Sequence, residues 1–282
     1  MQLSIGSRGG EVHRIVARDR YVNGLHGEFL DIKARLAHGF INHPDRIKTP
    51  MIRYSKGGKL IPATWDAAVK FAADKLKEHG KSVGVIMSPR LTNEAIFTLR
   101  RFATETGELG NYAVSDVQDL APVFDNLSVP LCTHKEIRYA KTIVLIGGEP
   151  EEEQSYTAKQ IRQAVRNGGA RFVCINERLI NLARQAGADF VHVNAGTVDA
   201  FALAVVDPSY DALAAGKMGI EAGDIDTIRK AIFETQGDVV IMFGGDLSGD
   251  AQAVLAAHAA SLAGEGRRIL LHPLPRYNNS VG

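Results

Sequence analysis

Thr142-Ile143-Val144-Leu145-Ile146-Gly147-Gly148-Glu149-Pro150 is the stretch that decides the fold. Its apolar run is short and rich in β-branched residues, which reads as a strand buried on both faces. A glycine turn and the start of a helix follow. Strand, turn and helix then repeat: helix over 151–167 closed by Gly168-Gly169, strand over 171–175, helix over 178–186, strand over 189–193 and helix over 198–206. After a small-residue connection at 207–223, Asp224 caps a helix to 235. A strand over 238–243, a helix over 248–263 and a strand over 268–271 complete the series.

Towards the N-terminus, Thr64 is a suitable N-cap and Asp66 complements the helix dipole in the first turn. Trp65, Ala68, Val69, Ala72 and Leu76 then recur at helical spacing, which predicts an apolar stripe facing a core, and Gly80 stops the helix. Residues 82–87 read as a buried strand and 92–106 as a helix, while 111–138 is irregular. Residues 1–60 are rich in Gly, Arg and His, with short alternating runs such as Glu11 to Val16 that suggest strands and turns. Alternating strands and helices imply parallel sheets covered on both faces. The expected fold is therefore α/β: two Rossmann-like parallel-sheet units with a small, partly β N-terminal segment.

The 282 residues suffice for a full core without metal or disulfide staples. Lys plus Arg total 33 against 32 Asp plus Glu, so no global basic field exists for nucleic acid or an anionic membrane. No apolar run approaches the length of a membrane span, and the N-terminus lacks the apolar segment of a signal peptide. Cys132 and Cys174 read as small buried residues, because two cysteines build neither a disulfide framework nor a four-thiolate site.

Gly147 and Gly148 lie where ligands approach the carboxyl end of a parallel strand. Glu149, Glu151, Glu152 and Glu153 follow at once, and they predict a helix start that is capped by its own carboxylates and repels phosphate. Gly244-Gly245-Asp246 reads as a tight turn, since it lacks the full G-x-G-x-x-G spacing. His13, His26, His38 and His43 lack the spacing of metal ligands, and no G-x-S-x-G elbow is present. The residues alone define no catalytic mechanism.

Residues 21–53, YVNGLHGEFLDIKARLAHGFINHPDRIKTPMIR, resemble the end of the iron–sulfur domain of the molybdopterin oxidoreductases. They are most similar to the large iron–sulfur subunit of bacterial NADH–quinone oxidoreductase, respiratory complex I. The carrying residues are Val22-Asn23-Gly24, then Asn42-His43-Pro44-Asp45-Arg46-Ile47 with Pro50 and Arg53. Trp65 in its helix, Gly187-Ala188-Asp189, Gly196-Thr197 and the run from His272 to Gly282 agree.

The resemblance implies a [4Fe–4S] cluster in the full-length family, held by four cysteines. Asp31 occupies the position of the fourth, and the other three would precede Met1, so no cofactor and no metal ligand are expected in this chain. Lys33 matches a lysine that lies between cluster and pterin in the molybdenum enzymes. Lys33, Gly147 and Gly148 are the residues that would meet a cofactor. The family's Gly-Thr-Asp run reads Gly196-Thr197-Val198, with Asp199 displaced by one, and together with the glutamates this speaks against molybdopterin. By the same resemblance, 1–60 is a remnant of the iron–sulfur domain, 61–138 plus 236–282 form one α/β unit, and 139–235 form a second, inserted unit.

The chain is thus expected to be a truncated, scaffold portion of a protein like that large iron–sulfur subunit, inactive alone. Its partners would be other subunits of the respiratory complex. It would be cytoplasmic, peripheral to the membrane once assembled, with no nucleic acid and no direct membrane insertion. The alternatives are a fragment of a molybdopterin-dependent oxidoreductase such as formate dehydrogenase, and a generic nucleotide-binding module.

Overall fold

The computed structural model describes residues 3–17, 29–106, 109, 111–115, 120–207, 219 and 222–280. Val22-Asn23-Gly24, His26, most of the 207–223 connection and the last two residues lie outside the described set.

The chain opens with an antiparallel hairpin, β1 (Leu3–Arg8) and β2 (Glu11–Ala17). Helix α1 (Ile32–Leu36) follows, then the short pair β3 (Met51–Ile52) and β4 (Ile61–Pro62). Asn42 clasps the hairpin: it accepts from Val12 N–H at 3.1 Å and donates to Val12 C=O at 2.7 Å, standing in for a ladder partner.

Helix α2 (Trp65–His79) begins where Thr64 predicts it, with the Thr64 hydroxyl accepting from Ala67 N–H at 3.3 Å. Its apolar stripe is not buried: Trp65 is 72% and Val69 61% exposed. Next, β5 (Gly84–Met87), α3 (Asn93–Arg101) and β6 (Asn111–Val114) form a two-stranded parallel βαβ unit. The expectation of a buried strand here is corrected. Ile86 is 77% exposed, because β5 has one partner strand and no described layer covers that face. The stretch expected to be irregular carries two short helices as well as β6, namely α4 (Ala121–Asp125) and α5 (His134–Tyr139), the latter closed by a Thr133–Glu136 capping box.

The remainder forms one sheet. In chain order it contains β7 (Thr142–Ile146), α6 (Pro150–Glu153), α7 (Ser155–Gly168), β8 (Arg171–Asn176), α8 (Asn181–Ala186) and β9 (Asp189–His192). Helices α9 (Val198–Val206) and α10 (Ala222–Phe233), β10 (Gly237–Phe243), α11 (Gly249–His258) and β11 (Arg267–Pro273) follow. The strands lie in the order β11-β10-β7-β8-β9, all parallel. This is the doubly wound Rossmann order, with its switch point between β7 and β10.

The expected partition fails at this point. Residues 236–282 do not form a sheet with 61–138, since β10 and β11 pair onto β7 in the unit assigned to 139–235. The reason is edge pairing. β7 is buried at all five positions, and β8 satisfies only one of its edges, so the other needs a parallel neighbour from later in the chain. Contact with the β5–β6 unit comes from the tail instead: Asn279 donates to Leu91 C=O at 2.8 Å, and Arg90 lies over the Tyr277 ring.

Side chains alternate across the sheet with period two. Val144, Ile146, Ile175, Ile241, Phe243 and Leu271 face α9, α10 and α11. Ile143, Leu145, Phe172, Cys174, Met242 and Leu270 face α5, α7 and α8. Each fully buried aliphatic side chain contributes roughly 1.5–3 kcal/mol, which makes this the dominant core. Among the described residues, no helix is long and apolar enough to cross a membrane.

At the switch point two glycines let backbones touch. Gly148 has φ +76°, and a Cβ built on Gly244 would lie 2.7 Å from Gly148 Cα. Neither backbone can yield without parting β7 from β10. Gly244→Ala is therefore expected to cost about 2–3 kcal/mol, comparable to overpacking a core, read as a lowered urea midpoint with unchanged m-value.

Candidate functional site

The carboxyl ends of β7, β8, β9 and β10 gather four loops, which is where an open α/β sheet binds ligands. Loop backbone N–H groups and helix N-termini are the usual anion receptors there. In this chain they are occupied by its own acids. Asp246 accepts from Gly148 N–H at 2.6 Å, Glu177 from Gly196 N–H at 2.7 Å and Asp199 from Ser248 N–H at 2.8 Å. The Asn176 amide completes the switch point by donating to Gly148 C=O at 3.0 Å.

Two cavities open among these loops. One, of about 720 Å³, is lined by Gly148, Glu149, Glu153, His192, Asp246 and Arg276, among others. The other, of about 460 Å³, lies between the loops after β8, β9 and β10 and carries Glu177, Asp199, Asp246 and Gln252 in its wall.

The acidic run at 149–153 does not cap its own helix, contrary to expectation. Glu149 stands at the N-cap of α6 but makes no side-chain cap bond. The expected continuous helix is also broken at Gln154, whose non-helical backbone separates α6 from α7. Each glutamate instead meets a base. Glu149 pairs with Arg178 at 2.5 Å, Glu151 with Arg162, Glu152 with Lys33 at 3.4 Å and Glu153 with Arg276 at 3.4 Å. Burial raises the Glu153 carboxyl above its ordinary value, against the opposing pull of Arg276. Arg276 also reaches Asp246, at 3.5 Å, and so ties α6 to the β10 loop.

Gly148 lines the 720 Å³ cavity, and Gly147 precedes it at the end of β7. Lys33 does not join them: its side chain is largely exposed and bound to the carboxylate and carbonyl of Glu152. Asp31 is the N-cap of α1 and accepts from Ala34 N–H at 2.7 Å. His13 and His43 are exposed on the N-terminal segment, and His38 is half-buried there. Cys132 and Cys174 are buried, and burial pushes both thiols up to about 12, so neither is a thiolate at neutral pH.

Sequence reasoning missed a pair of imidazoles. His134 and His272 stack edge to face with centroids 5.3 Å apart in the wall of a third cavity, of about 420 Å³, which also holds Tyr156 and Cys132. His272 Nδ1 lies 3.1 Å from Cys132 C=O and is therefore the protonated nitrogen. Burial lowers its pKa, with the carbonyl bond opposing. No local spacing announces this pair, because β11 and the start of α5 meet only in the folded sheet.

The donor set does not suit the groups that the resemblance implies. An anionic pterin dinucleotide needs loop amides, and the amides of Gly148, Gly196 and Ser248 are already bonded to carboxylates that would repel its phosphates. For a cluster, Asp31 is committed as a helix cap, and among the described residues no three His, Cys, Asp or Glu converge as metal ligands.

The family model described as Molybdopterin oxidoreductase matches residues 46–267. A G subunit of the NADH-quinone oxidoreductase of Rhizobium meliloti is 30% identical over 195 residues, covering 66% of this chain and 22% of that protein. The G subunit of the same enzyme in Escherichia coli is 25% identical over 312 residues, covering 99% of this chain and 34% of that protein. A formate dehydrogenase alpha subunit of Methanococcus maripaludis is 29% identical over 163 residues, covering 55% and 24%. The chain therefore spans only a minor part of the relatives that it matches. The solved structure of acetylene hydratase from Pelobacter acetylenicus is similar in fold, with TM-score 0.68 at 16% identity, over 92% of this chain and 41% of that one.

Two outcomes follow from the geometry. Asp246→Ala leaves the buried Gly148 N–H without its acceptor and is expected to cost about 1–3 kcal/mol in chemical denaturation. Burial holds the pKa of His272 in the fold below the ordinary imidazole value of 6.5 that the unfolded chain has. The unfolded state then binds more protons below that pH, so stability falls as pH drops from about 7 to 5. His272→Asn should flatten that slope in denaturation curves taken across the range.

Proposed function

The chain belongs to the molybdopterin oxidoreductase family, and from that premise we propose that it is a scaffold portion of a protein like the large iron–sulfur subunit of NADH–quinone oxidoreductase. In this reading it supplies fold and subunit contacts to an assembly that passes electrons from NADH to quinone, and performs no redox step itself. The observation that carries it is the occupation of three ligand-side loop amides by Asp246, Glu177 and Asp199. Backbone donors that an anionic cofactor would need are used to fasten loops to one another. The ion pair between Lys33 and Glu152 supports the same reading, since it turns a residue expected at a cofactor into a strut between the N-terminal segment and α6. The similarity to two such subunits supplies the assembly in which this part would sit.

The likeness to formate dehydrogenase sustains a second reading, a part of a molybdopterin-dependent oxidoreductase. Purification without oxygen separates the two. The scaffold reading expects iron and molybdenum each far below one atom per chain and no cluster signal in electron paramagnetic resonance. Stoichiometric, redox-active iron would overturn it, and molybdenum would favour the second reading. The scaffold reading also expects the chain to associate with other subunits of the respiratory complex when mixed with them.

A further inference from the structure

The cavity of about 420 Å³ that holds His134 and His272 contains a feature that the scaffold reading leaves unused. His272 Nδ1 is spent on Cys132 C=O, which makes it the protonated nitrogen and leaves Nε2 with a lone pair. Nε2 has no hydrogen-bond partner among the described residues. It is not sealed either. The unpartnered Oε1 atoms of Gln160 and Gln252 are closed off from solvent, whereas His272 is half-buried and its Nε2 keeps accessible surface. The cavity is the space that this side chain borders. Burial lowers the His272 pKa, so at neutral pH the ring stays an acceptor and not a cation.

The rest of the wall selects what can meet that acceptor. The His134 ring centroid lies 4.9 Å from that of Tyr156 and 5.3 Å from that of His272, so three ring systems gather there. Leu131, Pro273 and Pro275 add apolar surface. Apolar walls with a few placed polar groups are the usual make-up of a small-molecule site, and ring faces and edges favour a planar occupant. No Lys or Arg lines the cavity, while Asp31 and Glu153 do. A carboxylate or phosphate would set its lone pairs against Nε2 and its charge beside those acids. A metal ion finds no convergent set of three ligands among the described residues. The Ser155 hydroxyl belongs to the same wall and bonds to no described residue. A phenolic hydroxyl suits both groups, because it donates to Nε2 and can accept from a serine.

We propose that this cavity binds a small neutral phenol, its ring against His134 and Tyr156 and its O–H donated to His272 Nε2. The site goes beyond the scaffold reading. Metal content that refuted that reading would leave the phenol site standing, and failure of the phenol to bind would leave the scaffold intact.

Calorimetry of the whole chain at neutral pH tests it, with 2-naphthol as the probe and 2-methoxynaphthalene as the same ring without a donor. Saturable binding of one 2-naphthol per chain is expected, with the methyl ether about tenfold weaker, the effect of one hydrogen bond. His272→Asn keeps an amide that can donate to Cys132 C=O but places nothing where Nε2 stood. It should weaken 2-naphthol about tenfold and leave the affinity of the ether unchanged, a difference that general loosening of the wall would not produce. Leu131→Trp fills the cavity from a partly exposed position and should abolish binding of both compounds. It carries the test if the Asn variant does not fold. No saturable binding of 2-naphthol at about 1 mM, a concentration at which a weak site fills, would overturn the proposal. So would equal affinity for the methyl ether, or unchanged 2-naphthol affinity in either folded variant.

Discussion

β7 has no free edge, and the rest of the main body follows from that. Five residues buried on both faces and hydrogen-bonded on both sides place β8 on one flank and β10 on the other. The chain must therefore run outward through β9, cross back over the sheet and re-enter beside its own starting strand. That return creates the switch point, and there the close approach of Gly148 and Gly244 keeps the two halves of the sheet in register. The ligand-side crevice is a consequence of this crossing and needs no separate device.

What fills the crevice is chemistry particular to this chain. Backbone amides at such loops present partial positive charge, and negative groups satisfy them at little cost because the fold supplies the dipoles. Three carboxylates take that role, each reaching from one loop to the next. The acids at 149–153 extend the pattern outward through pairs with Arg178, Arg162, Lys33 and Arg276. Most of these pairs are partly exposed, so each is worth little by itself and is screened by salt. Their effect is geometric: they determine how α6 sits against the N-terminal segment and the β10 loop.

The α/β class and the main strands were legible because an apolar run in a parallel sheet reads the same from either face, and glycine turns punctuate it. The family was legible from the Asn42-to-Arg53 run. The sheet partners of residues 236–282 were not, because parallel pairing is non-local and nothing within β10 says which earlier strand it will join. The stripe on α2 misled for a related reason. Helical spacing of apolar residues records that a face wants a neighbour, and the described structure holds none for Trp65 or Val69. Near the crevice, the Gly147-Gly148 turn after β7 was legible as a turn. Asp246 and Glu177 were not, since each bonds a residue from a different loop. The exchange of a helix cap for a set of ion pairs at 149–153 depended on four bases distributed from Lys33 to Arg276.

Trp65 is the chain's single tryptophan and stands largely in water at the start of α2. Intrinsic fluorescence is therefore blind to the main sheet. The folded protein emits as a solvated indole, and melting of the β7-centred core passes with little change in that signal. The same blindness makes the indole a clean reporter for its own surroundings, because anything that settles over α2 and excludes water shifts the emission to the blue while the core contributes no background.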